Sequence, residues 1–195
     1  MDAAVALARR LTRFGLWFGG ALILAAAVLI GIDVTLRKVF NASIGGADEL
    51  AGYALALGTA WSLGATLLDR AHIRIDSLYV LFPRPLRLAL DFIGLAMLIA
   101  FFGLIARHGW NVAEQSWVSS SRSQSALQTP TVLPQSVWLV GLALFFIVGV
   151  LLLAYAAALI ARGKTADAER AISTRSAAEE VEDEIRDLQE REAGH

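Results

Sequence analysis

The chain has 195 residues, of which 56% are hydrophobic and 18% charged, and its mean hydropathy is +0.58. A soluble domain of this size needs more polar surface, so the composition favours an integral membrane protein. Cysteine is absent, which excludes disulfides, thiolate metal sites and thiol nucleophiles. Residues 1–164 carry a charge of +5 and residues 165–195 a charge of −6, which predicts a membrane domain followed by an acidic tail.

Four apolar stretches are long enough to cross about 30 Å of hydrocarbon as helices. They predict transmembrane helices at about 14–36, 48–68, 86–108 and 133–161. The first is preceded by arginines, as in a signal peptide, but no small-residue cleavage site follows it, so we interpret it as a helix. Lys and Arg are more frequent on the side of the N-terminus than on the opposite side, which predicts that both termini are cytoplasmic.

The expected fold is an all-α integral membrane bundle of four helices, with a short interfacial segment and a polar C-terminal helical tail. The interfacial segment is expected between the second and third spans, where apolar residues alternate closely with charges. The loop after the third span contains Trp117 and ends in Pro130 and Pro134, which predicts an ordered surface loop. In the tail, Val181 and Ile185 are spaced for one face of a solvated helix.

Small residues recur at every fourth position of the second span. This small-residue stripe consists of Gly52, Ala56, Ala60 and Gly64. Helices in lipid associate where small residues let their backbones approach closely, so the stripe predicts a packing face.

Charged residues near the spans are the candidates for chemistry, because charge inside a membrane is costly. Asp33 lies four residues before Arg37, which predicts an ion pair. Glu49 opens the second span, where an interfacial or helix-capping role and a contact with a partner both remain open. The middles of the spans lack charged residues, so we expect no ion pathway within this chain alone.

The sequence lacks the residues that several classes of function require. The histidines are too few and too far apart for haem ligation within the bundle, and no serine lies in a triad pattern. There is no phosphate-binding glycine loop and no basic groove for nucleic acid. We therefore expect a chain that is not an enzyme, that has no cofactor or metal, and whose surroundings include the lipid bilayer.

Two groups of residues are similar to those of a known family. The first comprises Glu49, Trp61, Gly64, residues 70–76, Pro83 and Arg87. The second comprises Ser125, residues 127–131, Pro134, Gln135 and Gly141. In their order and spacing over residues 14–160, they resemble the small membrane subunit of tripartite ATP-independent periplasmic (TRAP) transporters.

The resemblance implies that the chain stabilises a large permease subunit in the bacterial inner membrane. That subunit would hold the substrate and sodium sites, and a periplasmic substrate-binding protein would deliver an organic acid to it. The candidate residues for the subunit interface are Glu49, Gly52, Ala56, Ala60, Trp61, Gly64, Arg70, His72 and Asp76. The candidate contacts with the binding protein are Trp117, Ser125, Gln128, Thr129, Pro130 and Pro134.

Two other functions remain open. The chain could be a self-contained ion-coupled carrier that works as a homo-oligomer, with Glu49 or Asp33 binding the coupling ion. It could also be a membrane assembly factor, needed while a complex forms and dispensable afterwards.

Overall fold

A computed structural model of the protein describes residues 2–70 and 82–173, together with residues 185 and 189. The helices within the two long ranges, numbered in chain order, are α1 (Asp2–Phe40), α2 (Ala47–Leu68), α3 (Arg84–Val118), α4 (Val132–Ala161) and α5 (Thr165–Ile172). The first four are each long and apolar enough to cross a membrane, and the described residues contain no strand. The predicted class, an all-α bundle of four membrane helices, is confirmed.

Two of the helices are longer than the apolar stretches that predicted them. α1 already begins at Asp2, and α3 continues to Val118, about ten residues past its predicted span. Hydropathy marks only the part of a helix that suits hydrocarbon, whereas the helix continues as long as its backbone hydrogen bonds form. Trp117, which the sequence analysis placed in a loop, therefore lies on α3.

Residues with left-handed backbone conformation follow four of the helices. They are Asn41 (φ 50°) after α1, Arg70 (φ 58°) after α2, Ser120 (φ 49°) after α3 and Gly163 (φ 74°) after α4. After α4, the N–H of Gly163 donates to the Ile160 carbonyl at 2.9 Å and that of Lys164 donates to the Leu159 carbonyl at 3.0 Å. This is the Schellman closure, which pairs carbonyls that the last helical turn leaves without partners.

The helices are in contact in the order α1, α2, α4, α3. The two inner helices, α2 and α4, have a third of their most apolar segments buried, compared with 11% for α1 and 17% for α3. The short α5 packs against α4 and α3. The outer helices thus leave most of their apolar surface available to lipid or to other membrane proteins.

Glycines permit the closest contacts between these helices. A Cβ atom on Gly19 of α1 would lie 2.6 Å from the Gly58 carbonyl oxygen of α2. A Cβ atom on Gly141 of α4 would lie 3.1 Å from the carbonyl carbon of Ala60. Any side chain at either position would push the backbones apart, which is how small residues determine the packing of this bundle.

Candidate functional site

Asp33 organises the loop between α1 and α2, residues 41–46. Its side chain is only 1% exposed and forms an ion pair with Arg37 at 2.6 Å. The carboxylate also accepts hydrogen bonds from the Ile44 N–H at 2.6 Å and the Ser43 hydroxyl at 3.0 Å. The predicted pair of Asp33 and Arg37 is confirmed, and its role is to hold the α1–α2 loop against the end of α1.

Glu49 joins the first turn of α2 to a distant part of the chain. Its carboxylate accepts one hydrogen bond from the Tyr53 hydroxyl at 2.6 Å, and a second from the hydroxyl of Ser125. Ser125 lies 76 positions further along the chain, in the loop between α3 and α4, residues 119–131. Glu49 therefore connects the start of α2 to the α3–α4 loop.

The α3–α4 loop is folded by its own hydrogen bonds. The Ser123 N–H donates to the Thr129 carbonyl at 2.9 Å, and the Thr129 N–H donates back to the Ser123 hydroxyl at 3.0 Å. The Arg122 guanidinium donates to the Gln128 carbonyl at 3.2 Å, beside an isolated bridge between Arg122 and Pro130. The loop is ordered, as the sequence analysis predicts, because its backbone groups are paired within it.

The tip of the α3–α4 loop packs on two glycines of the α1–α2 loop. A Cβ atom on Gly46 would lie 2.5 Å from Cγ of Leu127, and one on Gly45 would lie 3.1 Å from the Ala126 Cβ. Gly46 also has a φ of 89°, which side-chain-bearing residues rarely adopt. The two loops together form one surface, which we call the loop end of the bundle.

The residues predicted to contact the binding protein differ in their solvent exposure at the loop end. Trp117, with 73% of its surface exposed, and Gln128 are exposed. Ser125, Thr129, Pro130 and Pro134 are only partly exposed. Ser125 and Thr129 also form the hydrogen bonds that order the loop, so they shape this surface from within.

The small-residue stripe is divided between the interior and the surface. Ala60 is 2% exposed, and Gly64 is buried where a Cβ atom would lie 2.8 Å from Thr12 of α1. Both pack against helices of the same chain, and their assignment to a subunit interface remains a prediction. Gly52 and Ala56 are exposed, so their assignment remains a prediction.

Trp61 is also engaged within the chain. Its indole Nε1–H donates to the Val137 carbonyl of α4 at 3.0 Å. Its ring lies edge-on to those of Phe14 and Phe18 of α1, with centroids 6.4 and 5.2 Å away. Trp61 thus connects α2 to both neighbouring helices, and its assignment to a subunit interface remains a prediction.

The opposite end of the bundle, which we call the tail end, contains Arg70 and α5. The Nε of Arg70 donates to the carbonyl of Ser173, the residue that follows α5. This contact places the end of α2 beside the start of the tail, so Arg70 has a role within the chain. His72 and Asp76 lie outside the described residues, as does Val181 of the predicted tail face.

A cavity of about 430 Å³ opens at the tail end between α1, α2, α4 and α5. Arg9, Arg70, Tyr155 and Asp167 line it together with apolar side chains. No pattern in the sequence indicates this cavity, because its charged residues are far apart in the chain and meet only through the packing of α5. The described residues contain no group of three or more His, Cys, Asp or Glu side chains that could hold a metal ion.

A family model described as the DctQ component of tripartite ATP-independent periplasmic transporters matches residues 26–160. The matched segment includes both loops of the loop end and nearly all of α2, α3 and α4. No curated protein matches the chain with significant similarity.

Proposed function

The chain belongs to the DctQ family of TRAP transporter components, and we propose that it acts as the small membrane subunit that stabilises a large permease subunit. The resemblance found in the sequence is confirmed by this match. In the proposed complex, ion gradients drive the uptake of an organic acid that a periplasmic binding protein delivers. The observation that carries the proposal is the family match over the four-helix body.

We assign the loop end to the periplasm and the tail end to the cytoplasm. Arg9, Arg10 and Arg13 lie at the tail end, and so do Arg162 and Lys164, which directly follow α4. Basic residues of short loops stay on the cytoplasmic side of bacterial membranes, which supports this orientation in the inner membrane.

The exposed part of the small-residue stripe is our candidate contact with the large subunit. Gly52 and Ala56 lie on the half of α2 nearest the loop end, and nothing in this chain lies within 4 Å of a Cβ atom on Gly52. Small side chains on an exposed helix face allow another membrane helix to approach closely. Ala60 and Gly64 instead connect α2 to the rest of the bundle, which keeps this face rigid.

The α3–α4 loop is our candidate contact with the periplasmic binding protein. It presents Gln128, with Trp117 at the adjoining end of α3, and its conformation is fixed by the hydrogen bond from Ser125 to Glu49. A preorganised loop loses less conformational entropy on binding than a mobile one. The loop is therefore suited to a repeated, transient contact.

Co-expression with the large permease from the neighbouring genes tests the proposed assembly. We expect the two chains to co-purify, and we expect Ala56→Leu to reduce the amount of permease recovered. The matched control is Leu55→Ala, which shortens an exposed side chain next to Ala56. Equal recovery with wild type and Ala56→Leu would remove Gly52 and Ala56 from the interface, and no recovery with any variant would contradict the assembly itself.

The alternative of a self-contained carrier finds no support in the positions of its two candidate carboxylates. Asp33 is paired with Arg37, and Glu49 is bonded to Tyr53 and Ser125. Both therefore serve the loop end, where they lie away from the middle of the spans. A permanent subunit and an assembly factor are separated by depleting the chain after the complex has formed, because only the first predicts that transport stops.

A further inference from the structure

The lining of the cavity at the tail end combines charged and apolar residues. Arg9 and Arg70 belong to it, and Val5, Leu151 and Leu152 supply apolar surface. Its volume of about 430 Å³ falls within the range of small-molecule sites, about 300–1,000 Å³. Such a combination suits a ligand with a charged group at one end and hydrocarbon at the other.

The charges of the lining favour an anion. Arg9 makes no ion pair within the part of the chain that the structure describes, and it is an exposed residue of the cavity lining. Arg70 contributes a second guanidinium while its Nε holds Ser173. Asp167 of α5 is the acidic residue of the lining, so the cavity keeps a net positive charge.

The cavity also lies where the apolar spans end. Arg9 precedes the apolar stretch that begins near Phe14, and Arg70 follows Leu68, the last residue of α2. These are the positions at which helices pass from hydrocarbon into the headgroup layer, where arginine side chains meet lipid phosphates. An opening at this depth is accessible to lipids of the adjacent leaflet.

We propose that the tail-end cavity binds the headgroup of an anionic phospholipid, with its phosphate at Arg9 and Arg70 and its glycerol and first acyl carbons along Val5, Leu151 and Leu152. The site is separate from the proposed contacts with the permease and the binding protein, and it does not depend on either. A bound lipid would join α1, α2, α4 and α5 across a gap that their side chains leave open.

The test uses the purified full-length chain in detergent, with native mass spectrometry to count retained lipid and thermal unfolding to measure stabilisation. The probes are phosphatidylglycerol, phosphatidylethanolamine and inorganic phosphate, each added alone. We expect phosphatidylglycerol to be retained and to raise the unfolding midpoint more than phosphatidylethanolamine. Equal stabilisation by both lipids, or equal stabilisation by inorganic phosphate, would overturn the proposal.

Variants locate the effect in the cavity. Arg9→Gln should weaken retention of phosphatidylglycerol about fivefold, the change expected for one basic residue at an anionic membrane surface. Asp167→Asn should strengthen retention, because it removes the acidic residue of the lining. The matched control is Arg13→Gln, an exposed arginine one turn further along α1 that does not line the cavity. Equal losses in Arg9→Gln and Arg13→Gln would show general surface attraction and overturn the site.

A variant that keeps every charge separates binding from folding. Ala6→Trp places an indole in the mouth of the cavity, where Ala6 is exposed and therefore free to change. We expect this variant to unfold at the wild-type midpoint without lipid and to lose the stabilisation by phosphatidylglycerol. Full stabilisation of Ala6→Trp would overturn the proposal even if Arg9→Gln failed to fold.

Discussion

The two ends of this bundle are completed in different ways. At the loop end, Glu49 bonds to Ser125 and Leu127 packs on Gly46, so the two loops support each other. At the tail end, the described residues leave a cavity, and the Arg70 bond to Ser173 links α2 to the segment after α5. The loop end is a closely packed surface suited to repeated contact, and the tail end has a cavity that a ligand can fill.

The largest effect is expected in the middle of the bundle, on which both ends depend. Ala60→Leu should destabilise the isolated chain by about 3 kcal/mol, because its side chain would meet the backbone of α4 near Gly141. Thermal unfolding in detergent measures this loss. Ala56→Leu, one turn away and exposed, is the control and should unfold at the wild-type midpoint. Equal midpoints for the two variants would contradict the internal role of Ala60.

A substitution at Gly46 should affect the loop end alone. Gly46→Val places a branched side chain at a φ of 89° and within 2.5 Å of Leu127, at a cost of about 2 kcal/mol. We expect faster proteolysis in the α3–α4 loop and unchanged lipid retention at the tail end. Gly20→Ala is the control, because nothing lies within 4 Å of its Cβ atom. Unchanged proteolysis in Gly46→Val would show that the loops do not depend on each other.

The hydrogen bond between Glu49 and Ser125 is expected to contribute less than the packing at Gly46. Glu49→Gln and Ser125→Ala should each lower the unfolding midpoint by less than Gly46→Val does. The double variant should lose less free energy of unfolding than the two single variants together. Gln124→Ala changes the exposed neighbour of Ser125 and serves as the control. Strict additivity in the double variant would mean that the two side chains do not interact.

The smallest effect is expected where Arg70 meets Ser173. Arg70→Gln removes the donor that connects α2 to the residue after α5, so amide exchange should become faster in α5. Exchange at the loop end should stay as in the wild type. Arg162→Gln, an exposed arginine at the same end, is the control. If the amide exchange of α5 is unchanged in Arg70→Gln, helix packing alone holds α5 in place.

The helices were predictable from the sequence to different degrees. α2 and α4 agree closely with their predicted spans, because the apolar segment of each helix extends over nearly its whole length. α1 and α3 were predicted too short, because their terminal turns are helical without being apolar. The ion pair of Asp33 with Arg37 was predictable from its spacing within one helix, since local geometry determines it.

Contacts between distant segments were not predictable in the same way. Glu49 stood out in the sequence, but its partner Ser125 could not be identified before the fold of the α3–α4 loop was known. The stripe on α2 was recognised as a packing face, whereas its division between the interior and the surface depends on where α1 and α4 lie. The residue pattern of a single helix predicts that one of its faces packs. Which partner contacts that face depends on the positions of the neighbouring helices.

The central claim is that this chain is the small subunit of a TRAP transporter, and reconstitution tests it most directly. The large permease from the neighbouring genes is placed in liposomes with or without this chain, and uptake is measured with its binding protein and an ion gradient. The account predicts uptake only when both membrane chains are present. Full uptake by the permease without this chain, or uptake by this chain alone, would contradict it.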